Sequence, residues 1–129
     1  MEGSEDDEHI NVSGPAIRAA RRTAILQLIK ARSGDTKLTA AVTARLLGIT
    51  PRYVHLLLVE TGQSFTHHLL QARLETAAAL LRDPQQQDRR IAAVAGAAGF
   101  NDLSYFNRAF RRRYNATPSG FRTAMRRDG

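Results

Sequence analysis

Ser104, Asn107, Arg108 and Arg111 recur at i, i+3, i+4 and i+7, the spacing of one continuous helix face. These types can hydrogen-bond to base edges in a major groove. Arg offers two donors to guanine O6 and N7, and Asn pairs with adenine N6 and N7. Arg111 at the end of the stripe, with Arg112 and Arg113 beside it, suits phosphate oxygens. Phe106 and Phe110 fall on another face, toward a core. The bland alternative is an Arg-rich face that only meets water. A poorer stripe precedes it: Arg52, His55, Leu56 and Val59. Here only Arg52 and His55 can hydrogen-bond to bases. Leu56 stands where Arg108 stands in the other stripe, and either touches a thymine methyl or extends the core. The Tyr53 hydroxyl either reaches a phosphate or sits at the edge of the core.

Other chemistries find little support. With no cysteine in the chain, a disulfide scaffold, a thiolate zinc site and a cysteine nucleophile are excluded. His67 and His68 are adjacent, so they point to different helix faces and make a poor metal pair; solvated surface is the expected reading. His55 has no carboxylate at useful spacing, and no glycine-rich phosphate loop or nucleophile elbow occurs. We therefore expect no catalytic residue, no metal and no cofactor.

The elements that must position the stripes are helical throughout. Ser13-Gly14-Pro15 opens a first helix, with Pro at an early position where its missing N–H costs nothing. Ile17, Ala20, Ala24 and Leu28 repeat along it, with Ile25 and Ile29 widening the stripe. Thr39 caps a second helix, whose Val42, Leu46 and Leu47 look inward, and Gly48 breaks it. Thr50-Pro51 starts a third. Ser64 caps a long helix to about Arg82, which Asp83-Pro84 ends. Ile91 to Ala98 is short and Ala-rich, Asp102 caps a helix from Leu103 to Tyr114, and Thr117-Pro118 starts the last. The fold class is all-α: seven helices, two helix-turn-helix units and a long linker helix between them.

One pattern occurs twice within this order. Ala44, Gly48, Ile49, Thr50, Val54 and Leu58 are answered by Ala95, Gly99, Phe100, Asp102, Phe106 and Phe110, with one extra residue in the second turn. The small Ala permits a close helix crossing, and Gly permits the positive φ of a sharp helix end. This is helix-turn-helix grammar. The boundaries follow: 1–14 as a disordered acidic tail, 15–63 as the first unit, 64–82 as the linker helix and 83–129 as the second unit.

Charge agrees with the stripes. The chain has 129 residues, 43% of them hydrophobic, and a net charge of +7, which fits one small domain with a nucleic-acid partner. Five of the twelve acids lie within residues 1–8, so the remainder carries +12, and +7 of this falls from Arg89 onward. The acidic head aids solubility or competes for the basic face. No apolar run approaches the ~18 residues of a membrane helix, and the start is unlike a signal peptide, so a cytoplasmic location without membrane contact is expected.

Ile91 to Arg122, IAAVAGAAGFNDLSYFNRAFRRRYNATPSGFR, resembles the second helix-turn-helix of the AraC/XylS family of transcription regulators. Ile91, Ala95, Gly99, Phe100, Ser104, Tyr105, Phe106, Arg108, Phe110, Pro118 and Arg122 carry the match. Gly48 to Leu81 is similar to that family's first reading helix and linker helix, with Gly62, Phe65, Arg73, Leu74, Ala77, Leu80 and Leu81 as the matches. Four positions depart from the pattern. Thr43 stands where an apolar residue is usual, Leu58 replaces Phe, Asn115 replaces Gly, and Leu56 replaces a residue that is often polar. The resemblance implies double-stranded promoter DNA as target, contact with RNA polymerase, usually for activation, and action on the bacterial nucleoid. Many members carry a separate sensing domain. A chain of this length is expected to be the DNA-binding domain alone, or a fragment, and monomeric.

A linker helix from Ser64 to Arg82 would be ~28 Å long. It would hold two reading helices about one DNA turn apart, since major-groove windows on one face repeat at ~34 Å. A basic helical module for RNA or an acidic protein partner is the alternative. It is disfavoured because most aromatic residues that could stack on bases are claimed by the core.

Overall fold

The computed structural model describes residues 5–128, and the side chains of residues 14–127. It contains, in order, α1 (Glu5–Arg32), α2 (Ala40–Leu47), α3 (Pro51–Val59), α4 (Phe65–Arg82), a 3-10 turn (Pro84–Gln86), α5 (Ile91–Ala97), α6 (Leu103–Tyr114) and α7 (Pro118–Asp128). No strand occurs among the described residues. The helical run starts at Glu5, inside the stretch expected as a disordered tail, of which residues 1–4 lie outside the described residues. Gly14 breaks the run with φ 60 and ψ 174, so the regular part of α1 begins at Pro15.

Side-chain caps set the other starts. Thr39, Thr50, Ser64 and Asp102 each accept a hydrogen bond from the backbone N–H three residues on, all at 3.1 Å. Such a cap stabilises a helix by about 1 kcal/mol. Arg90 makes no such bond before α5. Asn115 ends α6 with φ 58, and its N–H donates to the Arg111 carbonyl at 2.8 Å; Asn tolerates this left-handed geometry.

The two turns close alike. Gly48 N donates to Arg45 O at 3.3 Å and Ile49 N to Ala44 O at 3.0 Å. Gly99 N donates to Gly96 O at 3.1 Å and Phe100 N to Ala95 O at 2.9 Å. Each is a Schellman ending, with Gly at positive φ and an Ala carbonyl as final acceptor. The repeat read from residue types is therefore also a repeat of hydrogen bonds.

Two cores flank one shared helix. Ile25, Ile29, Val54, Leu57, Leu58 and Phe65 pack with Leu69 and Ala72 of α4. Val94, Ala95, Phe100, Phe106 and Phe110 pack with Leu74, Ala77, Ala78 and Leu81 of the same helix. Phe106 and Phe110 are fully buried, and each contributes about 1.5–3 kcal/mol of burial. Three apolar expectations need correcting. Ile17 and Leu46 are each 46% exposed and Ala20 is exposed. Ile25 and Ile29, not Ile17 and Ala20, are the centre of the α1 stripe, because α1 turns that side to α3 and α4.

A second contact joins the units besides the helix itself. From α4, Arg73 donates through Nε to the Ser33 carbonyl and through Nη2 to the Asp35 carbonyl, both at 2.8 Å. A β-carbon on Gly99 would clash with that Ser33 oxygen and lie 2.7 Å from Arg73 Nε. The loop after α1 is thus wedged between α4 and the turn of the second unit. Burial lowers the Arg73 pKa, with Asp35 and then Tyr105 acting against it.

Candidate nucleic-acid interface

In α6 the buried and free faces are cleanly separated. Phe106 and Phe110 are 0% exposed, while Ser104, Asn107, Arg108, Arg111 and Arg112 are all exposed. Among the described residues, no hydrogen bond or ion pair within the chain engages the side chains of these five. Four of them, Ser104, Asn107, Arg108 and Arg111, present donors along one side of a helix anchored from behind by aromatic packing. The rings of Phe100, Phe106, Phe110, Tyr114 and Phe121 form a connected series, with neighbouring centroids 4.6–5.6 Å apart. These aromatics are therefore spent on positioning the helix.

Arg113 does not join that face. At about 100° per residue, nine steps from Ser104 carry it half a turn away. Its Nη1 donates to Gln71 Oε1 at 2.6 Å, its Nη2 pairs with Glu75 Oε2 at 3.2 Å, and its guanidinium lies 5.1 Å from the Tyr114 ring. Within the chain Arg113 is a strut from α6 to α4, away from the face expected to carry the phosphate contacts.

In α3, Val54 and Leu58 are buried in the same register, and Arg52, His55, Leu56 and Val59 are exposed. Leu56 is 47% exposed, so it does not extend the core. Tyr53 is corrected as well. It is 7% exposed, its hydroxyl is buried and has no hydrogen-bond partner among the described residues, and Arg21 lies 5.5 Å from its ring. α1 packs across it, so that hydroxyl is not offered to a phosphate.

His68 departs from the expected solvated surface, since Nε2 lies 2.8 Å from Thr61 Oγ1 in the α3–α4 turn. Burial, and then His67, push its imidazole below the usual 6.5. No cluster of metal-ligating side chains occurs among the described residues, and no helix there is long and apolar enough to cross a membrane.

Two helix-turn-helix units thus stand in series, with matched turns and with exposed faces in the same register. A helix-turn-helix domain family, of the AraC type, matches residues 43–124. The chain belongs to the AraC-type family. That family comprises DNA-binding transcription regulators, not enzymes. The chain is 40% identical over 74 residues to the transcriptional activator RhrA of Rhizobium meliloti, covering 57% of this chain and 23% of that one. It is 33% identical over 107 residues to the transcriptional activator NphR of a Rhodococcus species, covering 83% and 31%. It thus spans less than a third of either relative. An AraC-type transcriptional regulator from Chromobacterium violaceum shares the fold, with a TM-score of 0.75 at 23% identity over 88% of this chain and 99% of that one. The resemblance seen in Ile91–Arg122 therefore extends to the all-α architecture.

Proposed function

We propose that the chain binds promoter duplex DNA by sequence and regulates transcription there, with activation as the output. The single observation that carries this is the repeated pair: two capped helices in one register, each buried behind and unbonded in front. Arg52 and His55 of α3, with Leu56, and Ser104, Asn107 and Arg108 of α6 are the base-reading residues. Arg111 and Arg112 hold phosphate. The relatives named as activators support the output, and contact with RNA polymerase follows from it.

Shared by both cores, α4 sets the distance between the readers. Its 18 residues span about 27 Å at ~1.5 Å per residue. One monomer then reads two unlike half-sites about a turn apart, in the cytoplasm and on the nucleoid. Selection of bound duplexes from a random pool, followed by footprinting, tests this. Two protected segments about 10 base pairs apart, in a complex of one protein per duplex, are expected. Enrichment of no sequence would overturn the proposal.

A further inference from the structure

The two reading faces match in position but not in chemistry. Val54 and Leu58 are 0% and 1% exposed, and their counterparts Phe106 and Phe110 are both 0% exposed. This fixes the register of α3 on α6 independently of the caps. In that register Leu56 falls where Arg108 stands and Val59 where Arg111 stands. They are 47% and 71% exposed. Neither is needed behind the helix, where Leu57 and Leu58 already fill the core at 1% exposure each. Two branched apolar side chains therefore sit in water on the face that should meet DNA. Arg52, a turn or more toward the N-terminus, and His55 keep that face polar at its edge.

On a base edge in the major groove, the apolar group is the C5 methyl of thymine. We infer that the first unit recognises its half-site mainly through thymine methyls covered by Leu56 and Val59, whereas the second unit reads by hydrogen bonds. This rests on the duplex-binding reading above and names what the α3 half of that site must contain. Arg52 and His55 add the hydrogen bonds that fix the register.

The test uses the full chain and duplexes from the random-pool selection. The half-site under α6 is the one whose selectivity Arg108→Ala relaxes, and the other half belongs to α3. Deoxyuridine then replaces thymidine in one half at a time, which removes the methyl and keeps Watson–Crick pairing. In the α3 half, each covered methyl removed should weaken binding about fourfold, from ~0.8 kcal/mol per buried carbon. The same change under α6 should cost less. Leu56→Ala, at an exposed position that leaves the fold intact, should bind thymidine and deoxyuridine duplexes nearly alike. An α3 half without thymine would overturn the inference. So would an unchanged affinity on deoxyuridine, or a Leu56→Ala variant that stays as methyl-sensitive as the parent. Failure to enrich any duplex would instead overturn the duplex-binding proposal itself, which separates the two.

Discussion

Arg112 and Arg113 are neighbours in sequence with opposite expected phenotypes. Arg112 is exposed, with no partner among the described residues, about 80° around α6 from Ser104. Arg113 bonds Gln71 and Glu75 on α4. A phosphate contact contributes about 0.9 to the slope of log K against log salt. From about 50 to about 200 mM salt, removing one contact therefore changes the loss of affinity by roughly 3.5-fold, or about 0.7 kcal/mol. Arg112→Ala should flatten the slope by that amount on every duplex, whatever its sequence. Arg113→Ala should leave the slope unchanged. Its partner Glu75 is 51% exposed and Arg113 itself 31%, so water screens the pair and its loss costs about 0–1 kcal/mol of stability. Anisotropy of a labelled duplex at three salt concentrations, with a thermal melt of each variant, measures both quantities. A slope that flattens with Arg113→Ala and not with Arg112→Ala would refute the assignment.

Three further outcomes are expected. Arg108→Ala should cost about 1–3 kcal/mol on the selected site and relax one base position; equal binding by variant and parent would remove α6 as the reader. Thr43 is 0% exposed and its hydroxyl has no hydrogen-bond partner among the described residues, so Thr43→Val should stabilise the fold by about 1–2 kcal/mol, and a lower melting temperature would contradict this. Burial, and then His67, lower the His68 pKa, so the folded form takes up its proton at lower pH than the unfolded chain, which does so near 6.5. Stability should therefore fall as pH drops below that value. His68→Gln should lose less between pH 7.5 and 5.5; identical losses would show that His68 is not responsible.

Most helix ends are legible because they depend on local chemistry, the uncapped start of α5 and the run from Glu5 in α1 being the exceptions. Thr39, Thr50, Ser64 and Asp102 cap within three residues of themselves, and Gly48 and Gly99 end helices by their own φ. The faces of α6 followed equally well from periodicity, which also held an unused signal that Arg113 turns away from Ser104. Tyr53 was harder. It sits in the register of Tyr105, yet it is 7% exposed and Tyr105 is 43% exposed. The difference lies in α1, which covers α3 from far away in sequence. Leu46 and Ile17 failed for the same reason: an apolar residue at the border of a stripe is buried only if a neighbouring helix reaches it. The acceptors for Arg73 were invisible because they are backbone carbonyls, which no residue type announces.

Gly48 and Gly99 occupy the same place in the repeat but carry different duties. A β-carbon on Gly48 would meet nothing within 4 Å, whereas one on Gly99 would strike the Ser33 carbonyl of the other unit. The fit runs both ways, since a β-carbon on Gly34 would lie 3.2 Å from the Ala97 carbonyl of the second unit. The two halves have stopped being interchangeable parts. A chimaera that takes its C-terminal half from a relative inherits a working turn only if that turn leaves room for this Ser33 carbonyl and for Arg73. A swap of the whole pair keeps that contact intact.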